Sequence, residues 1–192
     1  MKQDTKQKII EAGARIIHHK GYYHTGIQEV LDAAGVPKGS FYFYFKSKED
    51  FGLQVVDFYN NMYMEMVDPI AKNKALPHLN RIEKIFDHFI NLFPELDYTC
   101  GCPIGNLSQE MGDLSEAFCG KLAASVDVMV GVYKNILDDA KESNEISQRI
   151  NTQETAEFIV SSWHGSLIKM KISKSIAPLK LHKHFIIDIL KS

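Results

Sequence analysis

The 192-residue chain is poor in the features that mark most special environments. It has three cysteines, Cys100, Cys102 and Cys119, which cannot all pair with one another, so a framework of disulfides is excluded and at least one thiol stays outside any bridge. No apolar run reaches the length of a membrane span. The first twenty residues carry charges throughout, from Lys2 to Lys20, which leaves no apolar stretch for a secretory leader, and the expectation is a cytoplasmic protein with no membrane partner. There is no alternating strand pattern, no repeat and no low-complexity tract. A formal net charge of −2 excludes a protein coated in positive charge for nucleic acid.

The distribution of charge is more informative than its sum. Residues 1 to 52 hold eight basic and six acidic side chains, whereas the remainder holds fourteen and eighteen. A mildly basic head therefore precedes an acidic body, which points to nucleic acid at one end only. With 45% hydrophobic and 24% charged residues, the composition is that of a globular protein with a sizeable core.

Helical periodicity covers nearly the whole chain. Ile9, Ile10, Ala12, Gly13, Ile16 and Ile17 predict an amphipathic helix over 5–20, stopped at Gly21. Thr25 is a candidate N-cap for a short helix ending at Gly35, and Ser47 for a long one running to Val67 before Pro69. Further helices are expected at 77–93, 104–111, 114–141, 153–173 and 178–190. The expected fold is all-α, with a three-helix head over residues 1–50 joined by the long helix to a helical body over 51–192.

Between the second helix and Ser47 lies Val36-Pro37-Lys38-Gly39-Ser40 and then five aromatics, Phe41 to Phe45. Two short helices joined by a glycine-containing turn make a helix-turn-helix. On a helix, Phe41, Tyr44 and Phe45 share one side, while Lys38, Ser40, Tyr42 and Phe43 spread over the remainder, and Phe41 and Phe45 anchor the element to the head's core. Gly39 allows close approach to DNA, and the hydroxyls, Lys38 and Lys48 suit phosphate oxygens. Core packing and solvated lysines are the plainer reading of the same residues.

In order and spacing, Ile9, Ala12, Gly21, Tyr22, Thr25, Ile27, Val30, Ala34, Gly35, Val36, Lys38, Gly39, Ser40, Phe41, Tyr42, Tyr44, Phe45 and Lys48 resemble the DNA-binding head of the TetR family of bacterial repressors. The resemblance implies an all-helical homodimer on a double-stranded palindromic operator. It implies Thr25, Tyr42, Tyr44 and Lys48 on phosphates, with Gln28, Lys38, Ser40 and Phe43 nearest the bases. By geometry Gln28 prefers adenine and Lys38 guanine. Phe43 departs from the polar residue of many relatives, and apolar contact with a thymine methyl is expected there.

In the body, Cys102 stands just before a helix start, where the dipole favours thiolate. Zinc lacks its paired ligand spacing here, so no metal or cofactor is expected, and a buried inert thiol competes with a reactive one. The segments GCPIGNLSQE and LIKMKISKS resemble the TetR-family repressors that respond to N-ethylmaleimide, other electrophiles and acrylate. In electrophile-responsive members the cysteine matching Cys102 is the sensor and the lysine matching Lys171 sits near it, whereas a related branch has the loop without using the thiol. Family architecture implies a chamber lined by some of Phe58, Tyr59, Tyr63, Phe86, Phe89, Tyr98, Met129, Tyr133 and Trp163, with His88 and His164 as polar candidates, against simple core packing. Phe158, Ile159, Ser162, Trp163, Ser166, Leu167, Met170, Phe185, Ile186, Ile189 and Leu190 on the last two helices suit a four-helix dimer seam, against a face of one intrachain bundle. A thiol-dependent enzyme with Cys102 as nucleophile lacks a recognisable base, and a helical carrier of small molecules would ignore DNA.

Overall fold

The computed structural model describes residues 2–192, with side chains from residue 4, so the Lys2 counted in the basic head lies outside the described side chains. The described residues form α1 (Lys2–Lys20), α2 (Ile27–Ala34), a 3-10 turn (Lys38–Ser40), α3 (Phe41–Tyr44), α4 (Lys48–Ala71), α5 (His78–Glu95), α6 (Pro103–Met111), α7 (Glu116–Glu142), α8 (Thr152–Ser173) and α9 (Ala177–Lys191). No strand occurs among them, and the aromatic run forms a single helical turn despite its strand propensity.

Several helix ends differ from expectation, α1 already beginning at Lys2. Pro69 and Pro94 do not stop their helices, which run on to Ala71 and Glu95. Each proline still removes a backbone donor, but only two residues follow Pro69 and one follows Pro94 in its helix, so a kink there disturbs almost none of the ladder. Thr25 is not the N-cap of α2. Gly26 holds that position with no side-chain bond, and the Thr25 hydroxyl donates instead to the Gly21 carbonyl at 2.6 Å. Ser47 does cap α4: its Oγ accepts from the Asp50 amide at 3.0 Å while the Asp50 carboxylate accepts from the Lys46 amide at 2.8 Å.

Compactness divides the chain into two units, Met1–Tyr63 with Pro103–Ser125, and Met64–Cys102 with Val126–Ser192. In the first, Phe41, Phe45 and Phe51 are fully buried, with ring centroids 5.1 to 5.5 Å apart, among Ile9, Leu31, Val55 and Val56. Burying each such ring contributes on the order of 1.5–3 kcal/mol, enough to hold a helix of one turn that could not persist alone. The unit includes α6 and the start of α7 because Phe118 packs edge-on against Tyr22 and Lys121 pairs with Asp57.

In the second unit α9 packs on both α8 and α5, over a core of Ile82, Ile85, Phe86, Leu137, Ile159, Met170 and Leu179. The N-terminus of α5 is closed from afar: the Glu145 carboxylate accepts from the amides of His78 at 2.8 Å and Leu79 at 2.9 Å. Burial opposes ionisation of Glu145, yet those amides and the His78 ring hold its pKa below the usual carboxylate value.

Candidate functional site

The turn that presents the candidate DNA residues begins at Gly35, whose φ of 66° ends α2 in the left-handed conformation. The Val36 amide then reaches back to the Leu31 carbonyl at 3.0 Å, and Pro37 sends the chain outward in an extended conformation. The Ser40 amide bonds the Pro37 carbonyl at 3.0 Å and starts the aromatic turn. Phe41 and Phe45 point inward, so the intervening rings must point out. Tyr42 is 71% exposed and Phe43 64%, Tyr44 is half-buried, and Lys38 and Gly39 are exposed. A Cβ added at Gly39 would meet nothing within 4 Å, so nothing inside the chain requires glycine there.

The flanking candidates are held by their neighbours. Gln28 is exposed on α2, its amide donating to Asp32 at 2.6 Å. Ser40 is half-buried. Lys48 lies with Nζ 4.7 Å from the Tyr22 ring centroid and donates to the Tyr23 carbonyl at 3.4 Å. Burial lowers the Lys48 pKa, and Lys20 adds to that while Glu110 works against it. Thr25 differs from the rest of the set in being buried, 2% exposed, with its hydroxyl already engaged. The exposed Tyr42, the half-buried Ser40 and Tyr44, the Lys48 ammonium at a helix start and the exposed Phe43 ring carry the chemistry that binds phosphate oxygens and touches base edges.

The loop entering α6 is conformationally strained. Asp97, Tyr98 and Cys100 have φ of 50°, 54° and 64°, and Gly101 follows at 79°. Each non-glycine residue in that region costs about 1–3 kcal/mol, and such strain gathers at functional segments. Cys102 is half-buried at the mouth of α6, before Pro103 in its first turn. Lys171 runs beside the loop, its Cδ 3.4 Å from where a Cβ on Gly101 would lie. None of the three cysteines forms a disulfide, and no group of three metal-binding side chains occurs among the described residues.

Of the expected chamber residues, Tyr133 and Trp163 stack on Phe86 with centroids 5.8 and 5.2 Å away, and Phe89 lies 6.3 Å from Trp163. Tyr98 stands in the strained loop of the same unit, whereas Tyr63 belongs to the first unit. Tyr59 is spent on the first unit's core, its hydroxyl donating to the Ala14 carbonyl at 2.6 Å. His182, absent from the sequence expectations, completes the cluster against Phe86 and Trp163. Its Nε2 lies 2.9 Å from Ser162 Oγ, its Nδ1 has no partner, and burial pushes its pKa down to about 4. The signal was present: His182 falls on the apolar stripe of α9 with Leu179, Ile186 and Leu190. Burial also lowers His164.

The proposed seam sorts into two faces. Ile159, Trp163, Leu167, Met170, Ile186 and Leu190 are buried within the unit and are not available to a second copy. The apolar residues left exposed are Phe158, Ile168 and Ile172 on α8, and Leu181, Phe185 and Ile189 on α9, at helical spacing. Gly165 stands on the same exposed face of α8 with open space where a side chain would be.

Comparison with known proteins places this geometry. Residues 9–55 match the model of bacterial regulatory proteins of the tetR family, and residues 78–185 that of the tetracyclin repressor-like C-terminal domain. The transcriptional regulator AcuR of Cereibacter sphaeroides is 31% identical over 90% of this chain and 79% of its own length. The repressor DhaR of a Mycobacterium species is 29% identical over 91% and 86%. The crystal structure of the reduced form of Escherichia coli NemR superposes with a TM-score of 0.89 at 26% identity, covering 97% of this chain and 98% of that one. No described helix is long and apolar enough to cross a membrane.

Proposed function

Because this chain belongs to the TetR family of bacterial transcriptional regulators, we propose that it is a cytoplasmic homodimeric repressor. It binds a palindromic operator through residues 25–48 and leaves it when a small molecule or electrophile acts on the body. The carrying observation is the aromatic turn, which hides Phe41 and Phe45 while leaving Tyr42 and Phe43 largely in solvent. Two adjacent rings left in solvent shortly before the Ser47 cap offer a partner both an apolar face and a hydroxyl. Lys38, Ser40, Gln28 and Phe43 read bases, and Tyr42, Tyr44, Lys48 and the turn at Thr25 meet phosphates. DNA-contact residues thus lie within 1–50, the functional head, and the ligand and dimer functions within 51–192.

The exposed faces of α8 and α9 pair with those of a second copy, since six large apolar side chains and a bare Gly165 suit close helix packing. Two heads then sit about 34–36 Å apart to enter successive major grooves. For the inducer, the strained loop beside Lys171 and the position of Cys102 before α6 support attack of the thiol on an electrophile, with Tyr98, Phe89, Tyr133 and Trp163 of the same unit shaping the ligand's surroundings. A related repressor, NemR, has a crystal structure designated the reduced form, which favours a thiol-dependent response here. A differential affinity of about 1–3 kcal/mol releases DNA by roughly 5- to 150-fold. The test is a gel shift on a duplex selected from a random pool by the wild-type protein, with and without N-ethylmaleimide. Failure to retain any duplex at low salt overturns the repressor reading; retention without release by N-ethylmaleimide overturns only the thiol response.

A further inference from the structure

Glu110 lies at the end of α6, within the GCPIGNLSQE segment, 88 and 87 positions along the chain from the two residues whose peptide groups it holds. Its Oε2 accepts from the Tyr22 amide at 2.9 Å and its Oε1 from the Tyr23 amide at 2.7 Å. Both oxygens of one carboxylate are therefore spent on two successive amides of the turn between α1 and α2. Gly21 makes room: at φ 88°, a Cβ there would lie 2.9 Å from Oε2. The same glycine closes α1, its amide donating to the Ile17 carbonyl at 2.8 Å, and its carbonyl receives the Thr25 hydroxyl at 2.6 Å. Gly26 and α2 follow directly. One carboxylate, two amides and one hydroxyl thus set where α2 begins.

We propose that Glu110 is a positioning residue for operator binding: its carboxylate fixes the α1–α2 turn, and through Gly21 and Thr25 the placement of α2, without itself touching DNA. The proposal rests on reading residues 25–48 as the DNA surface. Charge and geometry predict opposite signs, which makes it testable. Glu110 is an anion close to Lys48, whose ammonium it favours. If charge alone mattered, neutralising it would remove repulsion from DNA and tighten binding. If it acts by holding the turn, Glu110→Gln weakens binding, because the side-chain NH2 faces one of the two amides and leaves that donor unsatisfied.

The experiment measures affinity for the duplex selected with wild-type protein, across a salt series, for wild type, Glu110→Gln and Glu110→Asp. Expected are affinities at least tenfold lower in both variants at an unchanged salt slope, since no phosphate contact is lost. The folded fraction, followed by helical circular dichroism, stays that of wild type. Glu110→Asp keeps the charge but is one methylene too short to reach both amides. Equal or tighter binding by Glu110→Gln overturns the proposal, as does a weakening that only tracks loss of folded protein. Should neither variant fold, amide hydrogen exchange on the wild-type dimer decides: Tyr22 and Tyr23 amides as slow as those of α1 uphold it, and exchange at free-loop rates overturns it. Wild-type protein that retains no duplex sinks the repressor reading itself, a failure visible without any variant.

Discussion

The Lys48 ammonium stands 4.7 Å from the centre of the Tyr22 ring and donates to the Tyr23 carbonyl at 3.4 Å. A cation held against an aromatic face and one carbonyl keeps its remaining donors for another acceptor, and the start of α4 adds the positive end of a helix. Lys48→Ala is expected to weaken duplex binding nearly uniformly across sequences and to reduce the salt slope by about 1, for one lost phosphate contact. An unchanged slope would place Lys48 away from the phosphates.

Gly39 separates folding from recognition. Open space surrounds its missing Cβ, so Gly39→Ala is expected to alter stability by no more than about 0.5 kcal/mol, as at other exposed positions. If residues 25–48 form the proposed DNA surface, the added methyl faces the duplex, and affinity is expected to fall by about tenfold, or about 1.4 kcal/mol. Thermal melts and gel shifts on the same preparation read the two effects independently.

Phe185 is 57% exposed in the middle of the apolar face of α9. Phe185→Glu is expected to produce a folded monomer, because the substitution adds charge to the face of both copies at once. Sedimentation reads the mass, and duplex binding falls with it, since one head alone reaches one half-site. A dimer that persists in Phe185→Glu removes α9 from the seam.

Cysteine variants assign the response. Cys102→Ser is expected to keep duplex affinity within about twofold while losing release by N-ethylmaleimide. Cys119 is exposed on α7 and so open to the reagent in wild type, and Cys119→Ser is expected to be released like wild type. Mass spectrometry of the alkylated dimer shows which thiol reacted in each case.

His182 is buried in the second unit with a folded pKa of about 4, below its ordinary 6.5. Depression of a base means the unfolded chain binds a proton that the folded chain refuses, so this group favours the folded state least at low pH. Its effect is absent above pH 6.5, grows as pH falls from 6.5 to 4, and levels off below. The melting temperature of wild type is therefore expected to drop more steeply over that window than that of His182→Leu, with the difference between the two curves isolating this residue from the carboxylates.

Local pattern alone specified the helices, the glycine at Gly35 that ends α2, the Ser47 cap and the inward placement of Phe41 and Phe45 with Tyr42 and Phe43 outside, because each depends on neighbours within a few residues. Other assignments failed for the same physical reason. Thr25 has the chemistry of an N-cap, but one turn of chain earlier the Gly21 carbonyl offers its hydroxyl an acceptor. Prolines 69 and 94 look like stops, yet a helix tolerates one missing donor in its last turn.

Tertiary structure decided everything that joins distant residues. It brought the Glu110 carboxylate to the amides of Tyr22 and Tyr23, Glu145 to the start of α5, and His182 to Phe86 and Trp163. It also chose which apolar residues of α8 and α9 fill the core and which stay outside. A helical period states that a side chain lies on a given face; only the packing of one helix on another says whether that face meets its own chain or is left for a partner.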